Sequence, residues 1–153
     1  VSVEKSLKLK GKLEKLDYLR ANLDEVEVLL DIVKMEESEK AQSLDLKKRI
    51  ARVIDVYAEN KELPEMIIST GKDGAYYLSN RQKEVKTEHF KAVEINSEEI
   101  VETTGAGDAL TAGLASGIMN NYSIEEAINF GIRASALTVK SELTCSPQLT
   151  DLK

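Results

Sequence analysis

Short apolar runs alternate with amphipathic helical stretches along most of the chain, and this alternation constrains the fold more than any other feature. Leu46, Ile50, Val53, Ile54 and Tyr57 recur at helical spacing and put one apolar stripe on a helix over residues 41–60. After Pro64, residues 65–70, centred on Met66, Ile67 and Ile68, form a run too short for a helix and apolar enough for a buried strand. The same reading gives a strand at 17–21, a helix from Asn22 through Val33, a charged loop at 35–40, a turn at 71–74 and strands at 75–79, 85–90 and 92–95. Two helices follow, over 109–120 and 123–142. Ser123 with Glu126 three residues on makes a capping box for the last one. Residues 3–16 read as a further helix, with Leu7, Leu9, Leu13 and Leu16 among Lys5, Lys8, Lys10, Lys12 and Lys15. A solvated helix face accounts for these lysines, and a phosphate patch is the other reading. Helices alternating with short strands imply an α/β protein with a mostly parallel sheet covered by helices on both faces. The hairpin between Met66 and Ser79 would add an antiparallel element.

At 153 residues the chain is long enough for one good core, so a single α/β domain over 1–153 is the expectation. With 42% hydrophobic and 31% charged residues it has the balance of a soluble globular protein. Its net charge of −6 disfavours binding to a nucleic-acid polymer but leaves room for a nucleotide held by backbone dipoles. One cysteine, Cys145, excludes an internal disulfide or a Cys-rich zinc site, and one histidine, His89, excludes a His-pair metal motif. A reducing, cytoplasmic setting fits. No apolar run approaches the ~20 residues of a membrane span. The chain opens on Val1 and runs directly into a helical pattern, as a fragment of a longer protein would.

The chemistry is concentrated in Glu102-Thr103-Thr104-Gly105-Ala106-Gly107-Asp108-Ala109-Leu110, a polar, glycine-bracketed turn that opens into a helix. Helix amino termini carry unpaired N–H groups and about half a positive charge, so they attract anions. Gly105 and Gly107 allow close backbone approach, and Asp108 in the first turn could accept a proton from a nucleophile. An anion cradle beside a base suits phosphoryl transfer, where catalysis is mostly positioning and charge stabilisation. An ordinary turn with an acidic residue near a helix start is the alternative. The turn at Ser69-Thr70-Gly71-Lys72-Asp73-Gly74 is compatible with a plain hairpin. Asn22 and Glu25 sit where a helix cap would place them. The stripe Ala127, Gly131, Ala134, Ser135 and Thr138 suits close helix packing.

The string E-T-T-G-A-G-D-A resembles the D-T-x-G-A-G-D signature of the ribokinase-like (PfkB-type) carbohydrate and nucleoside kinases, with Glu102 where Asp is common and Leu110 where Phe is common. Two further strings support it. R-A-N-L-D-E-V-E is similar to the family's K-P-N-x-x-E-A-E, and Thr70 to Gly74 follows its T-x-G-x-x-G pattern. The resemblance implies a three-layer α/β/α ribokinase-like fold and transfer of the γ-phosphoryl group of ATP to a hydroxymethyl hydroxyl of a sugar or nucleoside. By this resemblance Asp108 is the catalytic base, and Gly105, Ala106 and Gly107 form the anion hole. Asn22 and Glu25 serve magnesium, Glu25 through water. Asn22, Thr70, Gly71, Gly74, Thr104 and Ala134 contact the nucleotide. The tail at 136–150 resembles the pseudouridine kinase branch, which implies the 5′-hydroxyl of pseudouridine as acceptor. The similarity spans only the carboxy-terminal, nucleotide-binding and catalytic half of such a kinase. It therefore implies a chain that is inactive alone, a non-catalytic nucleotide-binding fragment or module being the alternative, and an exposed sheet edge that would favour a homo-oligomer. The partners implied are ATP and a small sugar or nucleoside, with no membrane.

Overall fold

The computed structural model describes residues 7–33, 45–82, 84–143, 146, 148–149 and 152. The loop expected at 35–40, the start of the helix expected from residue 41, and Cys145 lie outside them. The chain divides into two compact units, Val1–Thr70 with Tyr76–His89, and Gly71–Ala75 with Phe90–Lys153.

The first unit holds a four-stranded sheet in the order β1-β2-β3-β4: β1 (Tyr18–Asn22), β2 (Glu65–Ser69), β3 (Ala75–Ser79) and β4 (Lys86–Phe90). β1 and β2 run parallel, with Tyr18 opposite Glu65 and Asn22 opposite Ser69. Their crossover carries α1 (Leu23–Leu29) and α2 (Leu46–Glu59). The links 70–74 and 80–85 are too short for parallel crossovers, which need a dozen or more residues. The hairpin expected after β2 is therefore present. β2 is buried along Glu65 to Ile68, as a strand covered on both faces must be. Its Met66 and Ile68 join Leu19, Ala21, Val26, Leu29, Ile50, Val53, Tyr57 and Leu78 in one core. The α2 stripe read from sequence supplies Ile50, Val53 and Tyr57 to it. Tyr57 is fully buried, and its hydroxyl donates to the Pro64 carbonyl at 2.9 Å. Burial pushes that phenol up to about 12.

Three local expectations are corrected. The helix expected over 3–16 is, within the described residues, two short 3₁₀ turns, Leu7–Leu9 and Leu13–Lys15. Gly11, at φ +75°, breaks the segment between them. The helix expected to reach Val33 ends at Leu29, and Asp31, at φ +57°, turns the chain away. No strand forms at 92–95. There the chain passes over Gly74, where an added Cβ would lie 2.7 Å from the Ala92 nitrogen and 2.0 Å from the Phe90 oxygen.

The second unit is built on α3 (Ala106–Met119) and α4 (Ile124–Val139). Their backbones touch through small residues. A Cβ at Gly131 would meet the Leu110 oxygen at 2.6 Å, and one at Gly113 would meet the Gly131 Cα at 2.7 Å. The capping box at the start of α4 forms as its sequence implies: Glu126 N donates to Ser123 Oγ (3.2 Å), and Ser123 N to Glu126 Oε2 (2.8 Å). Among the described residues no helix is long and apolar enough to cross a membrane.

Candidate functional site

The turn before α3 is built on Gly105. This residue is the N-cap and sits in the left-handed region (φ +84°, ψ −12°), with no side chain capping the helix. A residue with a Cβ would resist that conformation. The N–H groups of Gly107 and Asp108 fall in the first turn, where the helix itself offers no carbonyl. Ala106 N donates to the Thr103 carbonyl at 3.3 Å. Gly105, Ala106 and Gly107 are half-buried, while Asp108 is exposed in the first turn and Ala109 and Leu110 anchor the helix inward. An open carboxylate and open N–H donors thus share one helix end, whose dipole adds positive potential.

Glu102 holds the approach to this turn. One of its oxygens, Oε1, accepts from Thr103 N (2.8 Å), Thr104 N (2.9 Å) and Thr104 Oγ1 (2.8 Å). These donors, the Thr104 backbone N–H foremost, hold the Glu102 carboxyl below its usual range. The segment is also tied to the end of α4. Val101 N and Glu102 N both donate to the Val139 carbonyl, at 3.0 and 3.3 Å, and Lys140 Nζ donates to Glu99 Oε1 at 2.6 Å. As a motif position Glu102 is only a departure from an aspartate pattern, which does not disclose this loop-holding role. An acidic residue directly before two threonines and a glycine was the available signal.

Gly71 and Gly74 belong to the same unit, in the 3₁₀ turn Gly71–Asp73 and just after it. Gly74 N donates to the Gly71 carbonyl at 3.1 Å, and both glycines have positive φ, +65° and +97°. They differ in surroundings. No described residue lies within 4 Å of a Cβ added at Gly71, whereas Gly74 is pressed against residues 90–92. Gly71 is thus open to an approaching ligand, and Gly74 has a backbone reason of its own. Ala134 is buried at 2% exposure and faces Gly113 across the α3–α4 contact. Close helix packing accounts for its size.

Asn22, Glu25 and Thr70 lie in the first unit. Asn22 ends β1 and caps α1: Asn22 Oδ1 accepts from Glu25 N at 2.8 Å, and Glu25 Oε2 accepts from Asn22 N at 2.9 Å. Glu25 is buried, and Asn22 is exposed. Thr70 follows β2, so it and Asn22 stand at the carboxyl ends of two parallel strands, where open α/β sheets bind ligands. Arg20, not singled out from sequence, donates to Ser69 Oγ there at 3.0 Å. Among the described residues no three of His, Cys, Asp and Glu come together as a metal site. Glu25 Oε2 is taken up by the Asn22 N–H, so a hard cation at this turn would have to be held mainly by water, with this single carboxylate behind it.

The model of the pfkB family of carbohydrate kinases matches residues 6–151, and the chain belongs to that family. It is 27% identical to the pseudouridine kinase of Escherichia coli (strain K12) over 150 residues, which are 98% of this chain and 42% of that protein. Over 75 residues, 49% of this chain and 21% of the relative, it is 33% identical to the ATP-dependent 6-phosphofructokinase of Thermoanaerobacterium thermosaccharolyticum. The ribokinase of Cryptococcus neoformans var. grubii serotype A, solved in complex with ADP, superposes with a TM-score of 0.72 at 18% identity, covering 99% of this chain and 48% of that one. The fold is therefore ribokinase-like α/β, and the chain spans less than half the length of the relatives it matches.

Proposed function

We propose that this chain is the nucleotide-binding and catalytic half of a kinase that transfers the γ-phosphoryl group of ATP to a hydroxymethyl hydroxyl, with the 5′-hydroxyl of pseudouridine as the favoured acceptor. The observation that carries this reading is the uncapped start of α3, where the exposed Asp108 carboxylate sits beside first-turn N–H groups presented by a left-handed Gly105. Asp108 accepts the proton of the attacking hydroxyl. The backbone N–H groups of the Gly105-Ala106-Gly107 turn meet the charge that gathers on the transferred phosphoryl oxygens, and they are already aimed before reaction, which is why such donors are effective. Thr104 orders the approach to the turn through Glu102, and Thr70, Gly71 and Gly74 border the nucleotide. Ala134 serves the nucleotide site through the helix packing that sets α4. Asn22 and Glu25 would hold magnesium, Glu25 through water, and the cation would supply neutralisation of phosphate charge. The acceptor assignment rests on the 27% identity to a pseudouridine kinase.

A non-catalytic nucleotide-binding fragment is the second reading, favoured by the 42% share of that relative which the chain spans. The decisive measurement is made in the full-length protein. Asp108→Asn is expected to cut pseudouridine-dependent ADP release by at least ~10²-fold, the usual contribution of a general base, with ATP affinity nearly unchanged. Turnover within a few-fold of the parent would remove Asp108 from the mechanism. Equal activity with ribose and with pseudouridine would remove the acceptor assignment.

A further inference from the structure

α1 is a helix of seven residues, and it carries three carboxylates, those of Asp24, Glu25 and Glu27. A helix this short has too few internal hydrogen bonds to hold itself. Glu25 turns back to close the cap on Asn22. Asp24 and Glu27 are three residues apart, so they project from one side of the helix. Both meet Arg49, which comes from α2.

The contact is a fork. Arg49 Nε donates to Glu27 Oε1 at 3.1 Å and Oε2 at 3.2 Å, while Arg49 Nη2 donates to Glu27 Oε2 at 2.6 Å and to Asp24 Oδ1 at 2.5 Å. Arg49 is 7% exposed and Glu27 2%. The pairing with Glu27 raises the Arg49 guanidinium above its ordinary value, so the cation is fixed. A carboxylate as buried as Glu27 is tolerated only when paired and hydrogen-bonded. A planar guanidinium that spans two acids fixes orientation as well as charge, which a lysine does not.

We infer that Arg49 is a positioning residue for the Asn22–Glu25 turn: by gripping Glu27 and Asp24 it fixes the rotation of α1 and leaves Glu25 as the carboxylate of that helix that makes no ion pair among the described residues. The link from this turn to magnesium rests on the function proposed above, whereas the grip on the turn does not. Without the fork, the Glu27 charge would drive the helix toward water and open the cap at Asn22.

The test uses the full-length protein with Arg49→Lys, which keeps the charge and loses the fork. A second variant, Arg49→Met with Glu27→Leu, removes both buried charges and keeps the apolar volume. Amide hydrogen exchange at Asn22 and Glu25 is read beside the magnesium concentration for half-maximal turnover, with Glu25→Gln as the reference. In Arg49→Lys the two amides are expected to exchange ~10-fold faster, the scale of a lost helix cap, and the α3 amides to stay as they were. The magnesium midpoint should rise in the same direction as in Glu25→Gln, with kcat at saturating magnesium little changed. Unchanged exchange at Asn22 and Glu25 in both folded Arg49 variants would overturn the inference. Faster exchange with no movement of the magnesium midpoint, in Arg49→Lys and Glu25→Gln alike, would uphold the grip on the turn and overturn the magnesium reading.

Discussion

Two helix starts in this protein solve the same problem in opposite ways. At α1, Asn22 and Glu25 satisfy each other's backbone groups, Glu25 is buried, and Arg49 braces the helix from α2. At α3, the N-cap is a glycine with no side chain to offer, and the acidic residue of the first turn is left exposed. A helix end closed by its own side chains has its anion-binding capacity already occupied. One left open keeps its N–H donors for something else. Stability and reactivity should therefore separate between the two sites.

The largest effect expected is at the open end. In the full-length protein Asp108→Asn should lower turnover by at least ~10²-fold, about 2.7 kcal/mol of barrier. Its cost to stability should stay below about 1 kcal/mol, the range of a helix-dipole interaction. Thermal melts run beside the ADP-release assay would break the comparison if the variant lost stability in proportion to activity.

Next in size is the contact that sets α3 in place. Gly131→Ala puts a Cβ 2.6 Å from the Leu110 carbonyl oxygen, a backbone atom that cannot swing aside. The helices must separate, at a cost of about 1–3 kcal/mol, as for other overpacked sites. Denaturant unfolding should show a lower midpoint. An unchanged midpoint would mean that the two helices are not held backbone to backbone.

The closed end should behave oppositely to Asp108. Asn22→Ala removes the N-cap acceptor and leaves the Glu25 N–H without its partner, so stability should fall by about 1 kcal/mol. The deficit should appear in urea unfolding of the protein without any ligand. If Asn22→Ala proved neutral for stability, the cap would not be what Asn22 is there for, and the division between a closed and an open helix start would fail.

Much of this contrast was legible from residue types. β3 falls at 75–79 as read, and the α2 stripe reaches the core as read, because periodicity and turn chemistry are local signals. The capping boxes at Asn22 and Ser123 were visible for the same reason, since each closes within three residues. The G-A-G-D turn could be found because its chemistry is contiguous in the chain. What escaped depends on partners far away in sequence. Nothing near Arg49 announces that its guanidinium reaches back 22 residues to Glu27. The Val139 carbonyl becomes a tether for Val101 and Glu102 only once α4 is in place. The leucines and lysines of residues 3–16 suggested a helix by composition, but one left-handed glycine, Gly11, overrides a weak propensity.

The smallest effect expected is at Glu102, and it tests how the open turn is kept in shape. Its carboxylate is exposed, so its loss should leave the melting temperature in place. Its three donors nevertheless hold its pKa below the ordinary 4.5 in the folded protein. A carboxyl depressed in this way favours the ordered loop most when ionised. Its contribution is complete above the ordinary value of 4.5 and fades as pH falls through the lower folded value. The amide resonances of Thr103 and Thr104, which point at Glu102 Oε1, should therefore shift together with a midpoint below 4.5. In Glu102→Gln the same resonances should be flat across that range, because the amide oxygen does not titrate. A midpoint at or above 4.5 in the parent would show that these N–H groups do not hold the carboxylate, and the turn before α3 would then owe its shape to Gly105 and the Val139 tether alone.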